Sequence, residues 1–445
     1  MAQIREAPAA PPSDVVQTTG RRLRLPRTFA ALRNRDYRLL WLGTLGSFTA
    51  MQMQQVARGY LAYDLSGSAA VLGVVGLSFG LPQLIFSLFG GVIADRVKKR
   101  NLLLVTQICT GLVALATAVL VATDIITIWQ LIVLGVLQGT IFSFNMPARQ
   151  AFLADLVGPP EMMNAIALNN AGMNVTRIFG PALAGFLISV PFVGLSNVFY
   201  FMAACYLLPV LTLFQIRPRY AGGGRPKAPM VQEFVGGLKY IAGHELLGML
   251  LLLGLMPIIL GFPYQMLLPV FASSEVHNVG ARGLGLMSAF TGVGALIGAL
   301  VVATATGVRR RGRLQLFAGA GFGVSLLIFG LAPTFPLALL ALAAVGFTGS
   351  VYQSLNSTLI MTSTEPAYYG RVMSVNMMGF SLMPIAALPI GVIADRLGAP
   401  QTIALCGLAV TLFIVGVATF VRSYRRIEVE VPAQPHGGRP MPSGS

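Results

Sequence analysis

The sequence predicts an all-α membrane protein of twelve transmembrane helices, arranged as two six-helix bundles related by pseudo-symmetry. Three observations lead there. Of 445 residues, 55% are hydrophobic and only 10% charged, against roughly a quarter charged in an ordinary soluble domain. Apolar runs of about 20 residues, the length a helix needs to cross a bilayer, recur between Leu39 and Val421 with short polar breaks. One interruption, "RPRYAGGGRPKAPMVQEFVGGLKYIAGHE" from Arg217 to Glu245, is longer than the rest and leaves six runs on either side.

In order, the expected spans are 39–63, 68–93, 101–123, 127–150, 164–189, 192–215, 246–271, 283–306, 314–331, 335–360, 370–394 and 401–421. The chain then divides into a cytoplasmic segment 1–38, an N-terminal bundle 39–216, a linker 217–245, a C-terminal bundle 246–421 and a cytoplasmic tail 422–445, expected to be disordered. Between spans 4 and 5, "ARQAFLADLVGPPEMMN" is too polar for hydrocarbon beyond residue 150, so a loop with a short amphipathic turn is expected over 150–164. Glycine and proline make the first part of the linker flexible, whereas "VQEFVGGLKYI" suits a short helix on the inner membrane surface. Pro82 in span 2 and Pro257, Pro263 and Pro269 in span 7 remove helix hydrogen bonds and permit kinks.

Charge sets the orientation. A net charge of +16 could point to nucleic acid, but in a membrane chain basic residues mark the cytoplasmic face. With a cytoplasmic amino terminus, the inner segments hold Arg21, Arg22, Arg24, Arg27, Arg33, Arg35 and Arg38, then Lys98, Lys99 and Arg100, then Arg217, Arg219, Arg225, Lys227 and Lys239. Arg309, Arg310, Arg311 and Arg313 and finally Arg422, Arg425 and Arg426 continue the series, while the outer loops keep Arg282 and Arg396. Both termini are therefore expected in the cytoplasm, and no nucleic-acid partner is expected. Arg21-Arg22 looks like a twin-arginine signal, but a full spanning run without a cleavage site follows it, so it reads as a positive flank.

The halves echo each other. "QGTIFSFN" (138–145) resembles "TGSVYQSLN" (348–356), and "PPEMMNAIALNN" (159–170) parallels "EPAYYGRVMSVN" (365–376), as a duplicated six-helix unit requires. The second helix of each triplet carries small residues: Gly76 and Gly80, Gly180, Ala184 and Gly185, Gly294 and Gly298, Gly379 and Gly391. Such residues let helices approach closely in lipid.

The string "GGVIADRVKKRNLLL" (90–104) forms a tight cytoplasmic link between spans 2 and 3. It resembles the signature loop of the major facilitator superfamily, G-x-L-A-D-R-x-G-R-K/R-x-x-x-L. Gly91, Asp95, Arg96 and Arg100 match, Ile93 and Lys99 are conservative, and Lys98 stands where the pattern has glycine. "NVTRIFGPALAGFLI" (174–188) and "GFPYQMLLPVFASSEVHNVGARGLGLMSAFTGVGALIGAL" (261–300) are similar to the branch called transmembrane secretion effectors, which contains the enterobactin exporter and macrolide-efflux proteins. The resemblance implies the major facilitator fold, a cavity lined by helices 4 and 10, and proton-driven export of bulky amphipathic compounds. It also fits a conformational latch made of Gly91, Asp95, Arg96 and Arg100. Asp95 would face the start of helix 11 near Gly370, whose free amides and dipole favour a carboxylate by about 0.3 to 1 kcal/mol, with Arg96 and Arg100 as ion-pair partners.

Other polar residues compete for the binding site. Arg177 lies well inside helix 5, and an intramembrane arginine is a functional candidate, although bonding to carbonyls freed by Pro181 is an equal reading. Arg58, near Gln52, Gln54 and Gln55, is read as snorkelling to the outer interface to meet Asp64 in preference to lining the cavity, and stays among the cavity candidates. Gln54, Gln138, Asn145, Tyr352, Gln353 and Asn356 are the remaining candidates, for substrate or for helix-to-helix bonds. Met51, Met53, Met373, Met377, Met378 and Met383 offer pliable apolar surface, core filling being the commoner use. No carboxylate falls at a helix midpoint; Asp64 and Asp155 are the nearest coupling candidates.

Enzyme signatures lack their context. "GLSFG" (76–80) matches a serine-hydrolase elbow but lies inside a span, with His244, His277 and His436 in loops or the tail. No phosphate-binding loop occurs. Cys109, Cys205 and Cys406 sit far apart within helices, so neither disulfide nor metal site is expected, and no cofactor. The expected function is secondary active export of a drug, siderophore or metabolite by a monomer in the cytoplasmic membrane, its partners being that small molecule, lipid and the proton. Arginines without a central carboxylate lean toward neutral or anionic cargo. Uptake or facilitated diffusion, and a non-transporting scaffold or sensor, are the alternatives.

The hexapeptide GVIADR recurs at 391–396. Nine spans separate the copies, so they are expected on opposite faces, the second as an exit turn of helix 11 and not as a second latch.

Overall fold

The computed structural model describes residues 31–157, 159–190, 192–216, 230–273, 279–304, 311–365, 368–380 and 382–420. Arg21 and Arg22, His277, Arg309 and Arg310, the glycine-rich part of the linker and the tail 422–445 lie outside them, as do the surroundings of Gly91 and the side chains of Asp95, Met377 and Met378. The described residues form helices and no strand: α1 (Arg35–Ser66), α2 (Ala69–Arg96), α3 (Lys99–Ala122), α4 (Ile128–Leu156), α5 (Pro159–Ser189), α6 (Gly194–Gln215), α7 (Met230–Ala242), α8 (Glu245–Met256), α9 (Tyr264–Ala272), α10 (Gly280–Thr304), α11 (Arg311–Gly330), α12 (Phe335–Thr362), α13 (Tyr369–Phe380), α14 (Met383–Leu397) and α15 (Ala399–Phe420).

These helices make the twelve spans. α1 to α6 are the first six, and α7 belongs to the linker. Span 7 is α8 and α9 joined by a π-helical turn at Pro257–Gly261, and span 11 is α13 followed by α14. Ten spans are long and apolar enough to cross a membrane on length and composition alone. Span 11 misses that mark because it is divided, and α1 because Gln52, Gln54, Gln55 and Arg58 interrupt it.

Pseudo-symmetry shows in the packing. α2 packs on α4 as α10 packs on α12, and α3 on α6 as α11 on α15. Glycine allows the close crossings. A Cβ added at Gly139 would lie 2.1 Å from the Phe79 carbonyl oxygen, and one at Gly294 1.9 Å from that of Ala343. The echoed asparagines serve equivalent joints: Asn145 of α4 donates to Thr106 of α3 (2.7 Å), and Asn356 of α12 accepts from Gln315 of α11 (2.8 Å).

Two expectations are corrected. α4 continues through Pro147 to Leu156 and α5 starts at Pro159, so the expected 150–164 loop shrinks to the break at 157–158. The polar residues there have partners that permit helix. Lys99 pairs with Asp155 at 2.7 Å, Asn34 Nδ2 donates to the Leu156 carbonyl at 2.8 Å, and proline in a first helical turn costs no hydrogen bond. Span 11 is not continuous; Pro384 sits in the first turn of α14 and lies on Gly80 of α2, where a Cβ would be 2.3 Å from its ring.

The two halves meet at the end that carries the α1–α2 loop. There α2 crosses α14 with Gly73 on Leu388 and Gly391 on Ala69, and α5 crosses α10 with Gly185 on Gly285. At the opposite end, the α2–α3 link turns through Val97 and Lys98, with φ of −109° and −62°. Both are ordinary extended values, so the lysine in the glycine position of the signature is accommodated without strain.

A candidate substrate cavity and a clamp between the halves

A cavity of about 390 Å³ runs along the N-terminal half. Two helix stripes form its wall. On α4, Gln138, Phe142, Asn145 and Arg149 follow i, i+4, i+7 and i+11, and on α1, Ser47, Met51, Gln55, Arg58 and Ala62 repeat at the same helical spacing. α2 adds Gly76 and Phe79, α3 adds Gln107 and Thr110, and α6 adds Tyr206. The C-terminal half contributes Gln265, Met266, Pro269, Met383 and Pro384.

Two arginines on this wall differ in how they are satisfied. Arg58 is not at the interface with Asp64. Its guanidinium turns inward and one nitrogen donates to the Ser78 hydroxyl (3.1 Å) and the Val75 and Leu131 carbonyls (3.4 and 3.2 Å), tying α1 to α2 and α4. The elongated α1 places it more than a turn from Asp64, and the buried acceptors offset its desolvation. Arg149, only 7% exposed, donates to Ser47 Oγ (3.1 Å) and Asn145 Oδ1 (3.3 Å) and stacks 5.1 Å over the Phe48 ring, while its Nε–H has no partner. Arg149 falls inside the expected span 4 but outside the sequence candidates, because the polar stretch from Ala148 onward reads as leading out of the membrane. The i, i+4, i+7, i+11 stripe of Gln138, Phe142, Asn145 and Arg149 was the available signal.

The remaining candidates are dispersed. Gln54, Gln138 and Asn145 line the cavity with Arg58. Arg177 is exposed and borders a second, smaller cavity of about 60 Å³ with Tyr264, Ser288 and Thr291. Tyr352, Gln353 and Asn356 lie off the cavity wall: Tyr352 donates to the Leu253 carbonyl (2.5 Å) and Asn356 is fully buried against Gln315. Met51 and Met383 line the cavity and Met53 is core. Asp64 is exposed at the end of α1, and Asp155 pairs with Lys99. Arg96 is exposed, and Arg100 donates to the Leu213 and Phe214 carbonyls (2.8 and 3.1 Å), satisfying the end of α6.

The second GVIADR copy bonds across the halves, as Gln55 does by donating to Gln265 (3.1 Å). Asp395, at the end of α14, accepts from the Ser68 hydroxyl (2.6 Å) and from the Ala69 and Ala70 amides (2.5 and 3.1 Å). Ser68, the N-cap of α2, takes the Val71 amide at a long 3.4 Å. Thus the first turn of α2 is capped jointly by its own serine and by a carboxylate from the other half, which corrects the expectation that this copy merely ends a helix. Asp395 lies just beyond the expected span. Burial raises its carboxyl, and the bonds from Ser68, Ala69 and Ala70 lower it by more, so it ends below the ordinary carboxylate value.

Two pseudo-symmetric six-helix bundles around a central cavity define an integral membrane transporter. The solved structure of a bacterial homologue of the human lysosomal transporter Spinster, inward-facing and unoccupied, matches with a TM-score of 0.68 at 15% identity, over 88% of this chain and 97% of that one. The chain belongs to the transmembrane secretion effector family, whose profile matches residues 26–440. Among curated relatives, the staphyloferrin A transporter of Staphylococcus aureus is 24% identical over 86% of this chain and 95% of its own length. The enterobactin exporter of Citrobacter koseri is 25% identical over 74% and 76% respectively.

Proposed function

We propose that this protein is a proton-coupled secondary exporter of a bulky amphipathic small molecule, working by alternating access in the cytoplasmic membrane with both termini inside. The single observation carrying this reading is a cavity lined mainly by the N-terminal half and partly by the C-terminal half, with the halves in close contact at the α1–α2 end and the lysine- and arginine-rich segments at the opposite end. On the positive-inside rule that basic end faces the cytoplasm, where an exporter loads. Its mixed lining of glutamines, arginines, methionines and phenylalanines suits cargo with both apolar and polar parts. Siderophores are the first compounds to assay, because two relatives are named for them. The proposed cavity wall is Gln54, Arg58, Gln138 and Asn145 with Arg149, whereas Tyr352, Gln353 and Asn356 support the C-terminal bundle. The proposed inner latch, Asp95 with Gly91, Arg96 and Arg100, would engage in the opposite conformation.

The test is flux in oriented vesicles with an imposed pH gradient. Export predicts accumulation in everted vesicles, and accumulation only in right-side-out vesicles would sink the reading.

A further inference from the structure

We propose that the cargo enters this cavity with an anionic group, a carboxylate or comparable planar oxyanion, held by Arg149. The inference rests on the reading of this cavity as the cargo site. A guanidinium offers five N–H donors in a rigid fork, and Arg149 has only two neutral oxygens, Ser47 Oγ and Asn145 Oδ1, at 3.1 and 3.3 Å. Its Nε–H is buried without a partner. The described residues lining the cavity include no carboxylate and no histidine, and its other polar neighbours, Gln107, Thr110 and Tyr206, are neutral.

A cation withdrawn from water without a counter-charge is costly, and two neutral hydrogen bonds offset little of that. The comparison is within the molecule. Arg58, on the same wall, directs one nitrogen at three acceptors and staples three helices, with no nitrogen buried without a partner, whereas Arg149, which also lines the cavity, has such a nitrogen in Nε. A bidentate oxyanion would complete it.

A second orphan extends the description of the ligand. Gln138 Oε1 is buried and lacks a donor. It lies eleven residues from Arg149 on the same face of α4, about 16 Å along the axis. The ligand that fits has an anionic end at Arg149, an apolar body against Phe48, Phe79, Phe142 and Met266, and a hydrogen-bond donor toward Gln138.

The test is equilibrium binding of fluorescent probes to the full chain in detergent, using 1-pyrenebutyrate and neutral 1-pyrenebutanol. Wild type should prefer the carboxylate about tenfold. Arg149→Gln should abolish that preference while leaving alcohol binding in place, and Arg149→Lys should restore part of it. Retained alcohol binding shows that the variant is folded. Equal preference in wild type and Arg149→Gln, loss of preference with Arg58→Gln or Arg177→Gln instead, or no binding of either probe would overturn the proposal. Binding is read without flux, so an anion-selective Arg149 site with no export in everted vesicles would remove the export reading and keep this one.

Discussion

Replacing Asp395 should release the clamp between the halves and shift the transporter toward a state open at the α1–α2 end. The carboxylate takes one hydroxyl and two first-turn amides of α2 from across the interface. Loss of a helix cap costs about 0.5 to 2 kcal/mol. Asp395 is exposed, so solvent competes for those donors and about 1 kcal/mol is the figure to expect for Asp395→Ala, or roughly a fivefold change in the conformational equilibrium. Asp395→Asn keeps an acceptor oxygen and loses the charge, so its shift should be smaller. A reporter cysteine replacing Val75, which lines the cavity, in a chain with Cys109, Cys205 and Cys406 changed to serine, reads this directly. Its labelling rate by an impermeant thiol reagent added from the α1–α2 side scales with the fraction open there. The clamp also has a pH sign. The carboxyl is held below its ordinary value, so its contribution is complete above the usual carboxylate range and disappears as pH falls through the lowered value. Thiolate loss slows labelling of both reporters in acid, so the readout is their ratio: the rate of the wild-type reporter relative to that of the alanine variant should rise toward one as pH falls. An unchanged or slower rate in Asp395→Ala at equal abundance would refute the clamp.

Other consequences follow from named contacts. Gly185→Val should raise labelling of the same reporter, because a Cβ at Gly185 would lie 2.5 Å from Gly285 Cα and 2.6 Å from the Ala281 carbonyl. Asp155→Asn should cost about 1 kcal/mol in thermal unfolding through loss of the partly exposed Lys99 pair, and leave the pH dependence of flux unchanged; a flattened pH profile would make Asp155 a coupling residue after all. Cysteines replacing Val97 and Leu397 should label from opposite membrane faces, and labelling from one face would break the twelve-span topology.

Much of the fold was legible because lipid imposes a simple rule: each crossing needs about 20 apolar residues with its backbone bonds satisfied internally. That rule found spans 2, 3 and 12 to within a few residues of α2, α3 and α15. It failed where function dilutes apolarity. Span 4 stops short at 150 because the stretch with Asp155 reads as loop, whereas Lys99 on α3 pairs with Asp155 and the helix runs on to Leu156. The prolines of span 7 permit a kink, and the α-helix there is interrupted by the π turn at Pro257–Gly261.

The sequence by itself determined the number of crossings, the duplicated architecture and the basic face, because these depend on composition and period along one chain. Tertiary structure decided which way the polar residues point. Arg58 turned from Asp64 to Ser78, Tyr352 and Asn356 turned into the C-terminal bundle, and Arg149 joined the cavity. It also decided that the second GVIADR copy bonds across the halves, with Asp395 reaching Ser68 more than three hundred residues away in the chain. No local pattern encodes that contact. It exists because glycines at 73, 185, 285 and 391 let two helix pairs approach until backbone meets backbone, and only that approach brings a carboxylate at the end of α14 to the open amides of α2.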